Sequence, residues 1–164
     1  MRILGIDPGL AIVGWAIVDF PEDKMELSLV DYGAIYTEKG LPTQTRLAEI
    51  YDDMNELINK FKPDYAGIET LVFAQNVTTG IPVGEARGVV LVTLEKNHIP
   101  IQELFPSQIK DAITGNGRAK KTQVQENVKR ICGLDTIPKP DDAADAIAIA
   151  ITANTYASRI KLPS

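Results

Sequence analysis

The chain has 164 residues, with 17 Lys and Arg against 22 Asp and Glu, a formal net charge of −5, 45% apolar residues and 24% charged ones. That length suits a single domain, residues 1–164, and the balance is that of a globular protein, which excludes a disordered or fibrous chain. No apolar run nears the roughly 20 residues of a membrane span, Asp7 arrives too early for a signal peptide, and one cysteine, Cys132, suits a reducing compartment. The expected location is therefore cytoplasmic. A net acidic chain also argues, taken whole, against a polyanionic partner.

Arg2–Ile6 is a short apolar run closed by the turn signal Asp7-Pro8-Gly9. Ile12–Asp19 and Leu27–Tyr36 also read as strands, with Phe20–Glu26 as the hairpin loop between them. Leu47, Ile50, Tyr51, Met54, Leu57, Ile58 and Phe61 recur at three- and four-residue spacing, which predicts an amphipathic helix stopped by Pro63. Tyr65–Glu69 is the next strand, Val83–Asn97 a helix and Ile99–Leu104 a further strand. Pro82 suits a first helical turn, so the helix is expected to start there and to leave Asn76–Ile81 as a loop. The last third reads as three helices, Ser107–Thr114, Lys121–Cys132 and Ala143–Ser158. Consecutive strands with short connections form an antiparallel meander, and strands alternating with helices add in parallel. The expectation is an α/β fold with a mixed five-stranded sheet and helices on both faces.

Four carboxylates stand where a core-building chain has no use for them. Asp7 and Glu69 each end an apolar strand. If those strands are parallel neighbours, both acids emerge at the carboxyl edge, where open α/β sheets hold ligands. Asp142 and Asp145 lie three apart at the start of a very apolar helix and share one face; Asp141 is an alternative partner at four apart. Asp141 or Asp142 could equally serve as a helix cap. Asp145 precedes Ala146–Ile151, too apolar for an exposed helix. Four converging carboxylates repel unless divalent cations neutralise them. Oxygen-only donors point to Mg²⁺, with Mn²⁺ as a substitute, rather than zinc. Two such ions activate water for attack on a phosphodiester.

Ile3-Leu4-Gly5-Ile6-Asp7-Pro8-Gly9 with Gly14 resembles the opening of the RuvC family of Holliday-junction resolvases. So do Glu69 after a strand, Gly84-Glu85-Ala86-Arg87-Gly88, Gly115-Asn116-Gly117-Arg118-Ala119 and Asp142-Ala143-Ala144-Asp145-Ala146, in order along the chain. The resemblance implies a ribonuclease H-like fold and a homodimeric, Mg²⁺-dependent crossover junction endodeoxyribonuclease making paired symmetric nicks in four-way DNA junctions. A RuvA–RuvB branch-migration complex is an implied partner. Carried over by position, the catalytic and metal-binding residues are Asp7, Glu69, Asp142 and Asp145, with two Mg²⁺ ions per site.

Ser107–Gly133 holds six basic residues against two acidic ones, a local +4; with −5 overall, the rest of the chain carries −9. The resemblance assigns Lys110 and Lys121 to phosphates, and Arg118 is a further DNA-binding candidate. In the family, the loop after Glu69 carries a residue that probes unstacked bases. Here Val72 holds the position most often taken by Phe, Phe73 follows as the candidate wedge, and Gln75 replaces a basic residue. Phe73 could instead pack in the core. Gly84, Ala86 and Gly88 permit close helix approach, and the family's dimer contact is expected there; packing on the sheet is the alternative. His98, Trp15 and Cys132 read as a helix-end residue, a packing residue and a small buried residue.

A junction-binding protein without turnover has no need of all four acids. A nuclease of the same fold acting on structured RNA is disfavoured by the Asp142–Asp145 pair. An actin-like ATPase shares only Gly-Ile-Asp-x-Gly and needs a chain roughly twice as long.

Overall fold

The computed structural model describes residues 1–22, 26–72 and 77–157. The chain runs β1 (Arg2–Asp7), β2 (Ile12–Asp19), β3 (Ser28–Tyr36), α1 (Thr43–Phe61), β4 (Tyr65–Glu69), α2 (Val77–Lys96), β5 (Ile101–Leu104), α3 (Pro106–Thr114), α4 (Lys121–Ile131) and α5 (Asp141–Ala157). The sheet order is β3-β2-β1-β4-β5. β1, β2 and β3 pair antiparallel, as short connections require, while β4 joins β1 and β5 joins β4 in parallel across helical connections. The mixed five-stranded sheet read from the pattern is the one observed.

Each face of the sheet has its own core. Alternating residues of one strand supply both: in β1, Ile3 faces one side and Leu4 the other. On one face, Leu4, Ile6 and Ile17 pack against Ile50, Met54 and Ile58 of α1 and Ala86, Val90 and Leu94 of α2. On the other, Ile3, Ala16 and Val18 pack against Ile109 of α3, Val124 and Val128 of α4, and Ala146, Ile147 and Ala150 of α5. α5 is apolar almost all round because it is buried almost all round; Ala143 through Ala150 are buried apart from Asp145.

The seating of α5 depends on two glycines. A Cβ on Gly5 would lie 2.0 Å from the Ala146 carbonyl oxygen, and one on Gly14 would lie 2.1 Å from that of Asp142. Only a missing side chain lets this helix approach the strands so closely.

Two expectations require correction. α2 begins at Val77 and carries Pro82 inside it, so the helix does not start near Pro82 and residues 77–81 are not loop. Asn76 lies outside the described residues. Pro82 removes the amide that would bond the Thr78 carbonyl, but Thr78 and Ile81 are exposed, and there water can take over that bond. α5 begins at Asp141, two residues before the expected start, which places Asp141 and Asp142 in its first turn, where carboxylates suit the helix dipole.

Trp15 and His98 behave as read, while Cys132, expected to be buried, is only partly so. Trp15 packs on Phe61 with ring centroids 5.7 Å apart. Cys132 ends α4, half-buried, with burial pushing its thiol up to about 11. His98 is exposed beyond the end of α2, with φ 56°.

Candidate active site

β1 and β4 lie side by side in parallel with Ile6 opposite Ile68, so Asp7 and Glu69 leave the sheet together at its carboxyl edge. On the other flank of β1, Asp7 pairs with Gly14, and the Asp142 backbone rests on that glycine. Asp142 thus reaches Asp7 over a residue with no side chain. Asp145 follows one helical turn later on the same face. The four acids come from a central strand, its parallel neighbour and a buried helix.

Electrostatics reports how closely they converge. Burial, then the charges of Asp145, Glu69 and Asp142, push the Asp7 carboxyl from 3.8 up to about 8. Glu69 is raised by burial and by Asp145, with Lys110 and Lys121 pulling the other way. Asp145 is raised chiefly by burial, against the hydrogen bond and charge of Lys121. Lys121 Nζ donates to Asp145 Oδ2 at 3.0 Å and stands 3.9 Å from Asp141 Oδ2. Partial burial works against the charge on this ammonium, but its bond to Asp145 and the charges of Asp145, Asp141 and Asp7 win, so its pKa is raised.

Two clefts meet at Glu69. One, of about 300 Å³, is lined by Glu69, Pro106, Lys110, Lys121, Val124 and Asp145 among others. The other, of about 180 Å³, includes Asp7, Pro8, Glu69, Val72, Arg87 and Pro106. Lys110 and Lys121 therefore stand beside the acids, as the resemblance implied. Arg118 is exposed on the turn between α3 and α4 and lines neither cleft. Val72 is 56% exposed at the site's rim. Phe73 and Gln75 lie outside the described residues. Asp141 accepts from Lys139 Nζ at 2.9 Å, and it is Asp142, not Asp141, whose backbone rests on Gly14 and whose charge acts on Asp7.

The donor set fits a hard divalent cation in charge and chemistry: four carboxylates, no cysteine and no histidine. Among the described residues no three acids stand close enough together to close around a metal ion, and the Lys121 ammonium sits against Asp145. Arg87 was not singled out from the sequence. Its Nε donates to the Glu69 carbonyl at 3.2 Å and its Nη2 is paired with Glu103. Its one signal was the Ala86-Arg87-Gly88 setting, a cation amid small residues on an otherwise apolar helix.

A mixed sheet in this order, helices on both faces and acids from β1, β4 and α5 at one edge define a ribonuclease H-like protein. Residues 3–153 match the family model described as crossover junction endodeoxyribonuclease RuvC. The chain is 48% identical over 152 residues to the crossover junction endodeoxyribonuclease RuvC of Fusobacterium nucleatum, covering 93% of this chain and 79% of that protein. It superposes on the Thermus thermophilus RuvC structure with a TM-score of 0.88 at 31% identity, covering 97% of this chain and 96% of that one. A T. thermophilus RuvC in complex with Holliday junction substrate matches with a TM-score of 0.86 at 29% identity, over the same 97% and 96%. The chain belongs to the RuvC family of crossover junction endodeoxyribonucleases. Membership implies a divalent metal requirement. No helix among the described residues is long and apolar enough to cross a membrane.

Proposed function

We propose that residues 1–164 act as one nuclease domain in a cytoplasmic homodimer that resolves four-way DNA junctions, with Asp7, Glu69, Asp142 and Asp145 holding two Mg²⁺ ions in each protomer. One observation carries this reading: β1 and β4 pair in parallel with Ile6 opposite Ile68, and the Asp142 backbone rests on Gly14 opposite Asp7, so acids from three elements converge at one sheet edge, where burial and the other three acids raise the Asp7 carboxyl. A cluster so unfavourable as bare charge is what divalent cations stabilise. Bound there, they supply charge neutralisation and Lewis acidity for in-line displacement at phosphorus; Mn²⁺ serves the same donor set.

The chain's own residues do the rest. Asp7, Glu69, Asp142 and Asp145 would hold the cations in place at the sheet edge, and the lysines bind the strand beside them. Water oxygen bonds to phosphorus as the bond to the 3′ oxygen breaks, leaving 5′-phosphate and 3′-hydroxyl ends. Lys121 exchanges the Asp145 carboxylate for a strand phosphate, and Lys110 takes a second phosphate across the same cleft; both position the strand without reading bases. Arg118 adds charge further along the strand, and Phe73 is the candidate base probe. Shape and phosphate spacing select the junction.

Of the small residues expected at a dimer contact, Ala86 is buried in the core instead, but another face of α2 supports the dimer reading. Ile81, Glu85, Gly88 and Val92 are exposed at spacings of four, three and four residues, one stripe pointing away from the core residues Ala86, Val90 and Leu94. A second copy on that stripe gives the two active sites that paired nicking needs. Docking to a RuvA–RuvB complex belongs to the same reading.

The test is a synthetic four-way junction and a matched linear duplex, each with and without Mg²⁺. Paired symmetric nicks in the junction alone, dependent on Mg²⁺ and lost in Asp7→Asn, are expected. Tight junction binding with no Mg²⁺-dependent cutting would overturn the catalytic assignment.

A further inference from the structure

Arg87 sits on α2 beside the acids, where it lines the cleft shared by Asp7 and Glu69. Its side chain is only 15% exposed. Nε donates to the backbone carbonyl of Glu69 at 3.2 Å, and Nη2 is ion-paired with Glu103 of β5. Glu103 lies opposite Ile68 in the sheet, so the partner that orients the guanidinium belongs to the strand next to Glu69. The Glu69 backbone is then held from two directions: Thr70 N donates to Leu104 O at 2.7 Å on the β5 side, and Arg87 grips the Glu69 carbonyl from α2.

Arg87 touches the peptide of Glu69, not its carboxylate. The charges acting on that carboxylate are those of Asp145, Lys110 and Lys121. A guanidinium suits such a task because its planar fork serves two acceptors at once in fixed geometry, which an ammonium on a flexible stem does not. β4 needs this hold: it ends at Glu69 and the chain leaves the sheet within two residues, so its last peptide has little ladder beyond it.

We infer that Arg87 is a positioning residue for Glu69, clamping the last peptide of β4 between α2 and Glu103 so that the carboxylate is presented to the metal pair. The inference rests on the reading of Glu69 as a metal-binding residue. Because the clamp is anchored in α2, it also ties the helix that carries the exposed dimer stripe to the cutting end of the sheet.

The experiment titrates Mg²⁺ against the purified full chain and its variants Arg87→Gln, Arg87→Lys, Glu103→Gln and Glu69→Gln. Two readouts are taken: the Mg²⁺-induced rise in melting temperature without DNA, and the Mg²⁺ concentration giving half-maximal junction cleavage. Junction affinity is measured separately in EDTA. Removing a group that orients a metal ligand weakens metal affinity about 10- to 100-fold. We expect both Mg²⁺ midpoints to rise by about tenfold or more in Arg87→Gln, with junction affinity in EDTA unchanged within a factor of about two. Arg87→Lys keeps the charge but not the fork and is expected to resemble Arg87→Gln. Glu103→Gln, which loses only the guanidinium's orienting partner, is expected to shift less. If Arg87→Gln fails to fold, Arg87→Lys and Glu103→Gln carry the test. Unchanged midpoints in the Arg87 variants while Glu69→Gln raises them would overturn the clamp, as would full rescue by lysine, which would make the role one of charge alone. Unchanged midpoints in Glu69→Gln would instead overturn the metal-binding reading beneath it.

Discussion

Asp7 shows how a side chain proposed for the reaction can be costly to the fold. Its carboxyl titrates near 8 in the folded protein against 3.8 ordinarily, because burial and three neighbouring acids oppose its charge. Between about pH 4 and pH 8 the folded protein therefore holds a proton that the unfolded chain has released, and stability falls as pH rises through that window. In EDTA, the melting temperature should drop from pH 5 to pH 8, and Asp7→Asn should flatten that drop and raise the value at pH 8 by about 5 °C or more. Mg²⁺ should raise the wild-type melting temperature most at the alkaline end, and hardly at all in Asp7→Asn. A wild-type melting temperature in EDTA that does not fall toward pH 8 would count against the electrostatic account. The lysines are tested by salt. Lys110→Ala and Lys121→Ala should each weaken junction binding and each reduce the slope of log K against log salt by about one. Arg118, on a turn outside the clefts, should reduce it by less. Asp7, Glu69 and Asp145 were legible in the sequence because each interrupts or ends an apolar run. Arg87 was not, because the acceptor that defines it is the backbone carbonyl of a residue 18 positions away.

α5 is the element on which the site depends. It brings Asp142 and Asp145 to the sheet edge only because Gly5 and Gly14 leave room for it. Gly14→Ala places a methyl 2.1 Å from the Asp142 carbonyl oxygen, so the first turn of α5 must move away from Asp7. The expected cost is about 2 kcal/mol or more of unfolding free energy by urea titration, with cleavage falling further than stability alone explains. A variant of unchanged stability and activity would show that α5 is not seated there. α2 carries the other element-scale prediction. Val92→Asp, or Ile81→Asp, changes an exposed position and should leave the melting temperature within a few degrees while converting a dimer into a monomer in sedimentation. A monomeric wild-type chain would remove the dimer from the proposal. The start of α2 was misread from Pro82 because local propensity favours proline in a first turn. Proline was tolerated deeper in the helix, in exposed turns where water can reach the freed carbonyl.

For the whole molecule, net charge was a poor guide and its distribution a good one. The chain is acidic overall, yet Lys110 and Lys121 stand on the acids' own cleft. Two divalent cations would cancel four carboxylates, leaving a surface that favours phosphate.

Composition and periodicity alone settled the class of fold, the sheet's two-faced core, and four strands and two helices to within a residue, since those depend on spacing along the chain: period two in a strand, 3.6 in a helix. They also set out the acids that could meet. Only the tertiary structure decided that they do meet, through the parallel pairing of β1 with β4 and the glycine seat beneath α5. It alone separated Asp142, beside β1, from Asp141, which turns toward Lys139 and Lys121. The physical reason is that repulsion, burial and hydrogen bonding act over a few ångströms in space, and sequence distance does not measure that. Asp7 and Asp142 are 135 residues apart in the chain and one glycine apart in the fold.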